Sequence, residues 1–195
     1  NFSKNHLIIL GANTKETTDN NMKYYNSLII IDNEINVVGE YNKIKLVPFG
    51  EFLPFEKVLR KIGFKKVTAG YNSFSKGNNK STITINFDKN EINLLPLICY
   101  EIIFPSLIEK KNNQFNFIIN ISEDAWFGES IGPHQHFAKA IFRSIESRSF
   151  IIRSANKGVS AIINNKGEVL KRLNTNEAGH IQLEIPLLEN QNKNK

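Results

Sequence analysis

Cys99 is the single cysteine of the chain and the strongest candidate for a nucleophile. It follows the apolar run Leu94 to Ile98 and precedes Tyr100 and Glu101, so it lies where a strand is expected to end. Catalytic side chains of α/β proteins tend to be exposed at strand ends. A free thiol of pKa about 8.5 is only a few per cent thiolate at neutral pH, so catalysis needs a base and an oxyanion stabiliser. Taken alone, a single cysteine is more often a small buried side chain.

Segment 41–54 places charged residues in an apolar loop. Lys43 and Lys45 precede the stretch Val47 to Glu51, which reads Val-Pro-Phe-Gly-Glu. Burying the Glu51 carboxylate without a partner would be costly, so we expect Lys43 or Lys45 to pair with it. The pattern fits a functional loop and an ordinary structural loop equally well.

Segment 120–136 contains two adjacent aromatic residues and two histidines. Trp126 and Phe127 follow an apolar run and fit either the core or the wall of a pocket. His134 and His136 are two positions apart, so they diverge on a helix, and no third ligand stands at a recognisable spacing. We therefore predict neither a metal nor a cofactor.

The composition indicates one globular domain. Of the 195 residues, 41% are hydrophobic and 23% charged, and a chain of this length buries roughly 70% of its unfolded surface without disulfide or metal support. We predict one domain over residues 1–188 and a polar tail over residues 189–195. No apolar run approaches the ~18 residues that cross a bilayer. The chain starts at Asn1 with no signal sequence after it, so we expect a piece of a longer protein.

The net charge of +6 raises the question of an anionic partner. The basic residues are dispersed, and the densest group is Lys57, Arg60, Lys61, Lys65 and Lys66. Neither a groove-reading motif nor stacking aromatic residues accompany them, so no nucleic-acid partner is predicted. A basic face resting on acidic lipid is compatible with the sequence.

Short runs rich in Ile, Val and Phe predict strands. They are Leu7 to Leu10, Ser27 to Ile31, Ile35 to Val38, Thr82 to Phe87, Asn93 to Ile98, Phe117 to Ile121, Phe150 to Arg153, Val159 to Ile163, Glu168 to Leu170 and Ile181 to Ile185. The turn residues Asp32-Asn33 and Asn164 to Gly167 tolerate positive φ, so they predict antiparallel hairpins.

Apolar residues at helical spacing occur in Phe55 to Ile62, Pro105 to Lys110 and Gln135 to Ser149. In the third segment, Phe137, Ile141 and Ile145 are predicted to share one face. The almost unbroken apolar strands predict sheet faces that are covered on both sides. A layered α/β domain follows.

Several motifs occur together in this chain. They are Tyr41-Asn42-Lys43, Val47 to Glu51, Ile98 to Glu101, Asp124 to Gly128, Gly132 to His136, the residues Arg143, Glu146 and Arg148, and Arg153 to Ser160. From about Leu7 to Ile185 the chain resembles the nitrilase-like, or carbon-nitrogen hydrolase, periplasmic domain of the apolipoprotein N-acyltransferase family. Lys43 and Cys99 fit any member of this superfamily, whereas the loop ending at Glu51 is more particular to the acyltransferases.

The resemblance implies a four-layer α-β-β-α sandwich with a catalytic Glu, Lys and Cys. Lys43 would stabilise the oxyanion and Cys99 would form a thioester, while Glu51 and Glu101 match further acidic positions that support the site. The family's general-base glutamate closes an earlier strand, and no matching motif is present here. We therefore expect that the N-terminal part of the domain and the family's membrane helices lie outside these residues.

The resemblance also implies an activity and its partners. An acyl chain would pass from a phospholipid, through the thioester, to the N-terminal diacylglyceryl cysteine of an apolipoprotein. Tyr100, Trp126 and Phe127 would offer an apolar wall to the acyl chains. The implied location is the bacterial inner membrane, with this domain facing the periplasm and resting on the membrane surface.

Two other interpretations stay open at this point. One is a soluble nitrilase-superfamily amidase that acts on a small amide with the same Lys43 and Cys99. The other is a non-catalytic remnant that lacks the general base. We expect these residues alone to be at least about a hundredfold slower than a version that carries the upstream segment.

Overall fold

The computed structural model describes residues 3–18, 21–55, 61, 73–78, 82–87, 90–109 and 115–187. Within these ranges the chain forms two sheets and a small number of helices. The strands are β1 (Ile8–Thr18), β2 (Asn21–Ile31), β3 (Val37–Asn42), β4 (Ile83–Phe87), β5 (Asn90–Ile98), β6 (Phe117–Glu123), β7 (Phe150–Asn156), β8 (Ser160–Ile163) and β9 (Val169–Leu173). The helices are α1 (Ser106–Glu109), α2 (Gly132–Ser147) and the 3₁₀ helices Cys99–Ile103 and Asp124–Phe127.

The first sheet is antiparallel, in the order β1-β2-β3. The predicted hairpin at Asp32 joins β2 to β3, and the Asp32 carboxylate accepts hydrogen bonds from the backbone N–H groups of Glu34 and Asn36. Positive φ falls on Ile35, at 66°, rather than on the Asp32-Asn33 pair that the sequence indicated. The Asp32 side chain provides the reason, because it stands three positions before the left-handed residue and accepts hydrogen bonds from the backbone on both sides of that residue.

The second sheet has six strands in the order β4-β5-β6-β7-β8-β9. Strands β5, β6 and β7 are parallel, whereas the outer pairs are antiparallel. The predicted hairpin between β8 and β9 turns at Gly167, whose φ of 85° suits glycine. The parallel centre matches the nearly continuous apolar sequences of β5 and β6, because such strands are covered on both faces.

Alternation along β5 divides the core into two clusters, since successive side chains of a strand point to opposite faces. Leu94 and Ile98 pack between the two sheets, whereas Leu95 and Leu97 pack on the side of α2. The described residues thus form three layers, in the order three-stranded sheet, six-stranded sheet and helices. The predicted fourth layer, a helix outside the three-stranded sheet, is not found among the described residues.

Two predictions of secondary structure need correction, and a third falls on residues outside the described ranges. Segment Ile181 to Ile185 is irregular rather than a strand. In α2 the buried face passes through His136, Phe137 and Ala140, and Ile145 is 46% exposed instead of sharing that face. The helix predicted for Phe55 to Ile62 falls almost entirely outside the described residues, as do most of the dense basic group and the polar tail.

Helices of the described part of the chain are all too short or too polar to span a membrane.

Candidate active site

The backbone at Cys99 adopts an unusual conformation. Strand β5 ends at Ile98, and Cys99 opens the following 3₁₀ helix with a φ of 50°. A non-glycine residue in the left-handed region costs about 1 to 2 kcal/mol, and such strain persists only where the surrounding structure holds it. Cys99 is partly buried and packs against the core cluster between the two sheets.

Glu101 joins the Cys99 segment to the chain around Lys43. Its Oε1 accepts hydrogen bonds from the backbone N–H groups of Ile44 at 2.8 Å and Lys45 at 2.9 Å. Its Oε2 accepts from the backbone N–H of Ile98 at 2.9 Å. Because this one carboxylate bonds the residues on either side of the site, the chain after Lys43 is fixed against the chain around Cys99.

Tyr41 supplies a fourth donor to Glu101, through its hydroxyl at 2.9 Å from Oε1. Burial is the largest influence on Glu101 and raises the pKa of its carboxyl, although these four hydrogen bonds act in the opposite direction. Burial and the neighbouring Glu101 charge likewise raise the pKa of the Tyr41 phenol. Both oxygens of Glu101 therefore accept hydrogen bonds from the protein, which gives this carboxylate a structural role.

Lys43 forms a buried ion pair with Glu51. Its Nζ lies 2.9 Å from Oε1 and 2.8 Å from Oε2 of that carboxylate, and the Lys43 side chain is 1% exposed. Glu51 also accepts hydrogen bonds from Asn26 Nδ2 at 2.6 Å and from the backbone N–H of Val47 at 2.8 Å. The carboxylate thus holds the ammonium group in one position within a nearly water-free site.

Lys45 takes a different direction. Strand β3 ends at Asn42, so the alternation of a strand does not extend to these two lysines. The Lys45 Nζ lies 5.6 Å from the centre of the Phe104 ring, a cation-π contact. Of the two lysines that the sequence left open as partners of Glu51, the structure therefore selects Lys43.

A second buried network lies on the α2 side of the site. Asp124 accepts hydrogen bonds from Arg153 Nη2 at 2.7 Å and from Ser122 Oγ at 2.6 Å, and its Oδ1 lies 2.9 Å from His136 Nδ1. The other ring nitrogen of His136, Nε2, lies 3.1 Å from the carbonyl oxygen of Cys99. Burial raises the pKa of Asp124, but His136 and the Arg153 charge outweigh it, so that the pKa is lowered.

Asp124, His136 and Arg153 lie in the sequence motifs, but their residue types and spacing predict no role for them. One signal could have identified part of the network. Asn120 and Arg153 interrupt apolar strand sequences, and a polar residue in such a strand needs a buried partner. They are register partners in β6 and β7, and Arg153 Nη1 donates to Asn120 Oδ1.

The three aromatic residues expected at the site differ in exposure. Trp126 is 60% exposed and Tyr100 is 38% exposed. Tyr100 packs edge-to-face on Phe104, with ring centres 5.5 Å apart, whereas Phe127 is partly buried and lies 5.6 Å from the His136 ring. Trp126 is therefore the most available of the three to an apolar ligand.

A model of the carbon-nitrogen hydrolase family matches residues 3–192. The chain belongs to the carbon-nitrogen hydrolase family. The α/β nitrilase-like fold predicted from the sequence is thereby confirmed.

Three curated relatives of this chain carry the name apolipoprotein N-acyltransferase. The apolipoprotein N-acyltransferase of Rhizobium leguminosarum bv. trifolii is 38% identical over 183 residues, which are 93% of this chain and 34% of the relative. That of Allorhizobium ampelinum is 41% identical over 157 residues, 80% of this chain and 29% of the relative. That of Rickettsia typhi is 38% identical over 180 residues, 92% of this chain and 35% of the relative. The chain thus spans about a third of the length of these relatives.

Solved structures of similar fold are more distant in sequence. Nit3 of Saccharomyces cerevisiae, a member of branch 10 of the nitrilase superfamily, has a TM-score of 0.60 at 19% identity, covering 87% of this chain and 57% of Nit3. The NitN amidase from Neterenkonia sp. AN1 has a TM-score of 0.58 at 13% identity, covering 89% of this chain and 61% of the amidase. At these identities the likeness shows the fold of the chain.

Proposed function

We propose that this carbon-nitrogen hydrolase domain transfers an acyl chain from a phospholipid, through a thioester on Cys99, to the N-terminal diacylglyceryl cysteine of apolipoproteins. The observation that carries the proposal is the identity of 38% over 93% of the chain to an apolipoprotein N-acyltransferase. The geometry supports it, because one buried carboxylate, Glu101, joins the backbone of Ile98, just before Cys99, to that of Ile44, just after Lys43.

The first half-reaction acylates the cysteine. The Cys99 thiolate attacks the ester carbonyl carbon of the phospholipid, and the carbonyl oxygen becomes an oxyanion. Collapse of this intermediate breaks the bond to the glycerol oxygen, which takes a proton and leaves as lysophospholipid. The acyl chain remains on sulfur as a thioester.

The second half-reaction releases the chain as an amide. The α-amine of the diacylglyceryl cysteine attacks the thioester carbon, and a second oxyanion forms. The amine nitrogen gives up a proton, the carbon–sulfur bond breaks and the Cys99 thiolate is restored. A general base must hold the transferred proton in both halves.

Lys43 is the proposed stabiliser of both oxyanions. A single well-placed donor of this kind lowers a barrier by about 3 to 4 kcal/mol. Glu51 fixes the Lys43 ammonium through both of its oxygens, so no reorientation is needed during the reaction. Glu51 and Glu101 are the site-supporting residues in this scheme, since each already accepts several hydrogen bonds from the protein.

The proposed lipid contacts involve Tyr100, Trp126 and Phe127. Their apolar surfaces would line the path of the acyl chain, and the exposed ring of Trp126 would make the largest contact. The proposed setting is the periplasmic face of the bacterial inner membrane. There, a chain of net charge +6 would rest on anionic headgroups.

The test follows the acyl group on Cys99. The natural polypeptide that carries these residues is incubated with phospholipid vesicles, and the Cys99 peptide is analysed by mass spectrometry. We expect a mass increase of one fatty acyl group, lost on adding a diacylglyceryl peptide and absent from Cys99→Ala. Acyl transfer that persists in Cys99→Ala would overturn the proposal, and so would turnover of small amides without any phospholipid reaction.

A further inference from the structure

We propose that His136, held by Asp124 and Arg153, is a positioning residue that fixes the left-handed backbone of Cys99. This inference rests on the proposed function only in taking Cys99 as the nucleophile. It assigns a role to the buried charged network of Asp124, His136 and Arg153.

The contact that carries the inference joins His136 to the nucleophile itself. Nε2 of His136 lies 3.1 Å from the backbone carbonyl oxygen of Cys99. A carbonyl oxygen only accepts hydrogen bonds, so this nitrogen must carry the hydrogen. The histidine ring thus ties down the peptide group that directly follows the left-handed Cys99.

The surroundings of Nδ1 hold the ring in that orientation. Nδ1 lies 2.9 Å from Asp124 Oδ1 and 3.2 Å from Arg153 Nη2. If Nδ1 is protonated it donates to the carboxylate, and if it is not it accepts from the guanidinium. Nε2 carries a hydrogen in both cases, so the bond to Cys99 is kept.

Asp124 and Arg153 are anchored independently of the histidine. Both side chains are 0% exposed and are joined at 2.7 Å, and Arg153 Nε donates to the carbonyl oxygen of Val159 at 3.1 Å. Burial lowers the pKa of Arg153, and the Asp124 carboxylate opposes that effect.

The network also holds the backbone on the other side of the nucleophile. Arg153 Nη1 donates to Asn120 Oδ1, and Asn120 Nδ2 donates to the carbonyl oxygen of Leu97 at 2.8 Å. Leu97, Asn120 and Arg153 are register partners across three parallel strands. The carbonyl groups of Cys99 and of Leu97, two positions earlier, are thus both bonded to one connected set of buried side chains.

Such restraint is what a strained nucleophile requires. The φ of 50° at Cys99 would relax towards an ordinary value if its carbonyl were free to rotate. A displacement of about 1 Å at a reacting group costs on the order of a hundredfold in rate. The bond from His136 therefore maintains the direction of the sulfur as well as the conformation of the loop.

Gly158 offers an independent way to disturb the network. A Cβ atom at this position would overlap Asp124 Oδ2 and lie 2.7 Å from Asp124 Cγ. Gly158→Ala therefore displaces the Asp124 carboxylate while every polar group of the network is retained.

The experiment compares His136→Phe, which keeps a ring but removes the donor, with His136→Gln, whose amide can donate to the Cys99 carbonyl. His134→Phe is the matched control, because His134 is exposed two positions earlier on the same helix. In the natural polypeptide we measure kcat and KM for thioester formation on Cys99 from phospholipid, iodoacetamide labelling of the Cys99 peptide, the melting temperature and a crystal structure.

We expect His136→Phe to lower kcat at least about tenfold, the effect of one lost buried hydrogen bond, with KM unchanged within about twofold. His136→Gln should recover most of that loss, and His134→Phe should match the unmodified protein. In the His136→Phe crystal structure the φ of Cys99 should leave the left-handed region. Should that variant not fold, Gly158→Ala is expected to give the same fall in kcat and the same change in φ.

Other outcomes of the same measurements would contradict the inference. The inference is overturned if a folded His136→Phe or Gly158→Ala variant keeps both its kcat and the left-handed Cys99. It is also overturned if, across the variants, the fall in kcat follows the fall in melting temperature and His136→Gln does not restore kcat. If the unmodified protein forms no thioester with phospholipid, the proposed function fails, whereas the Cys99 backbone and its labelling rate still decide the role of His136.

Discussion

The Nζ atom of Lys43 lies within 2.9 Å of both carboxylate oxygens of Glu51, in a pair whose lysine side chain is 1% exposed. A charge buried this deeply is stable only with its partner, because desolvation of an isolated ion is costly. The loop that carries Glu51 is therefore part of the mechanism proposed for Lys43, since it fixes where the positive charge lies.

Glu51→Gln should destabilise the domain by about 3 kcal/mol, because the Lys43 ammonium is left buried without its counter-ion. Urea unfolding of the variant and of the unmodified protein measures the difference. Glu34→Gln is the control, since Glu34 lies exposed in the β2–β3 turn, and it should change stability by less than about 0.5 kcal/mol. Equal stability of Glu51→Gln and the control would show that the pair is not needed in the fold.

Replacement of Cys99 should reveal the strain in its backbone. Cys99→Gly is expected to be more stable than Cys99→Ala by about 1 kcal/mol, because glycine adopts a φ of 50° without the penalty that a Cβ atom brings. The same pair at an ordinary strand position favours alanine. A greater stability of Cys99→Ala in thermal unfolding would mean that the left-handed conformation is absent in solution.

Asp124 should make the domain sensitive to acid. The pKa of its carboxyl is lowered in the folded protein. As the pH falls, the unfolded chain therefore takes up this proton near the ordinary pKa of 3.8, whereas the folded protein takes it up only at a lower pH. Its contribution to stability is present above that value and is lost as the pH falls through the lowered pKa. His136, Arg153 and Ser122 are the groups that face this carboxylate.

The measurement for Asp124 is urea unfolding from about pH 7 down to about pH 3. Asp124→Asn should be less stable than the unmodified protein at neutral pH, since Arg153 stays buried without a counter-charge. The difference should narrow as the pH drops below 3.8. Two stability curves that stay parallel over this range would contradict the assignment.

The two neighbouring aromatic residues should respond differently to truncation. Trp126 is 60% exposed, so Trp126→Ala should alter stability by less than about 0.5 kcal/mol while weakening acyl-chain binding about tenfold. Phe127→Ala should lower the melting temperature as well, because Phe127 packs beside the His136 ring. Vesicle binding and thermal unfolding of both variants measure these two effects. Unchanged vesicle binding of Trp126→Ala would show that Trp126 does not contact the acyl chain.

Local sequence patterns were sufficient for several features of the fold. The apolar stretch ending at Ile98 predicts a strand that is buried on both faces, and the residues Asn164 to Gly167 predict a hairpin; both are found. These predictions hold because alternation and turn chemistry depend on residues only a few positions apart. The β2–β3 turn shows where such patterns are less exact. The Asp32 side chain binds the turn backbone, and the positive φ falls on Ile35 instead of on the Asp32-Asn33 pair.

The sequence by itself determined that Cys99 ends a buried strand and that Glu51 needs a lysine as its partner. Only the tertiary structure decided that the partner is Lys43, and that His136 meets Cys99 across a separation of 37 residues. It also decided that Asn120 and Arg153 are register partners in neighbouring parallel strands. The physical reason is that the register of parallel strands, and the helix packed on them, are set by contacts between distant segments, which no local period encodes.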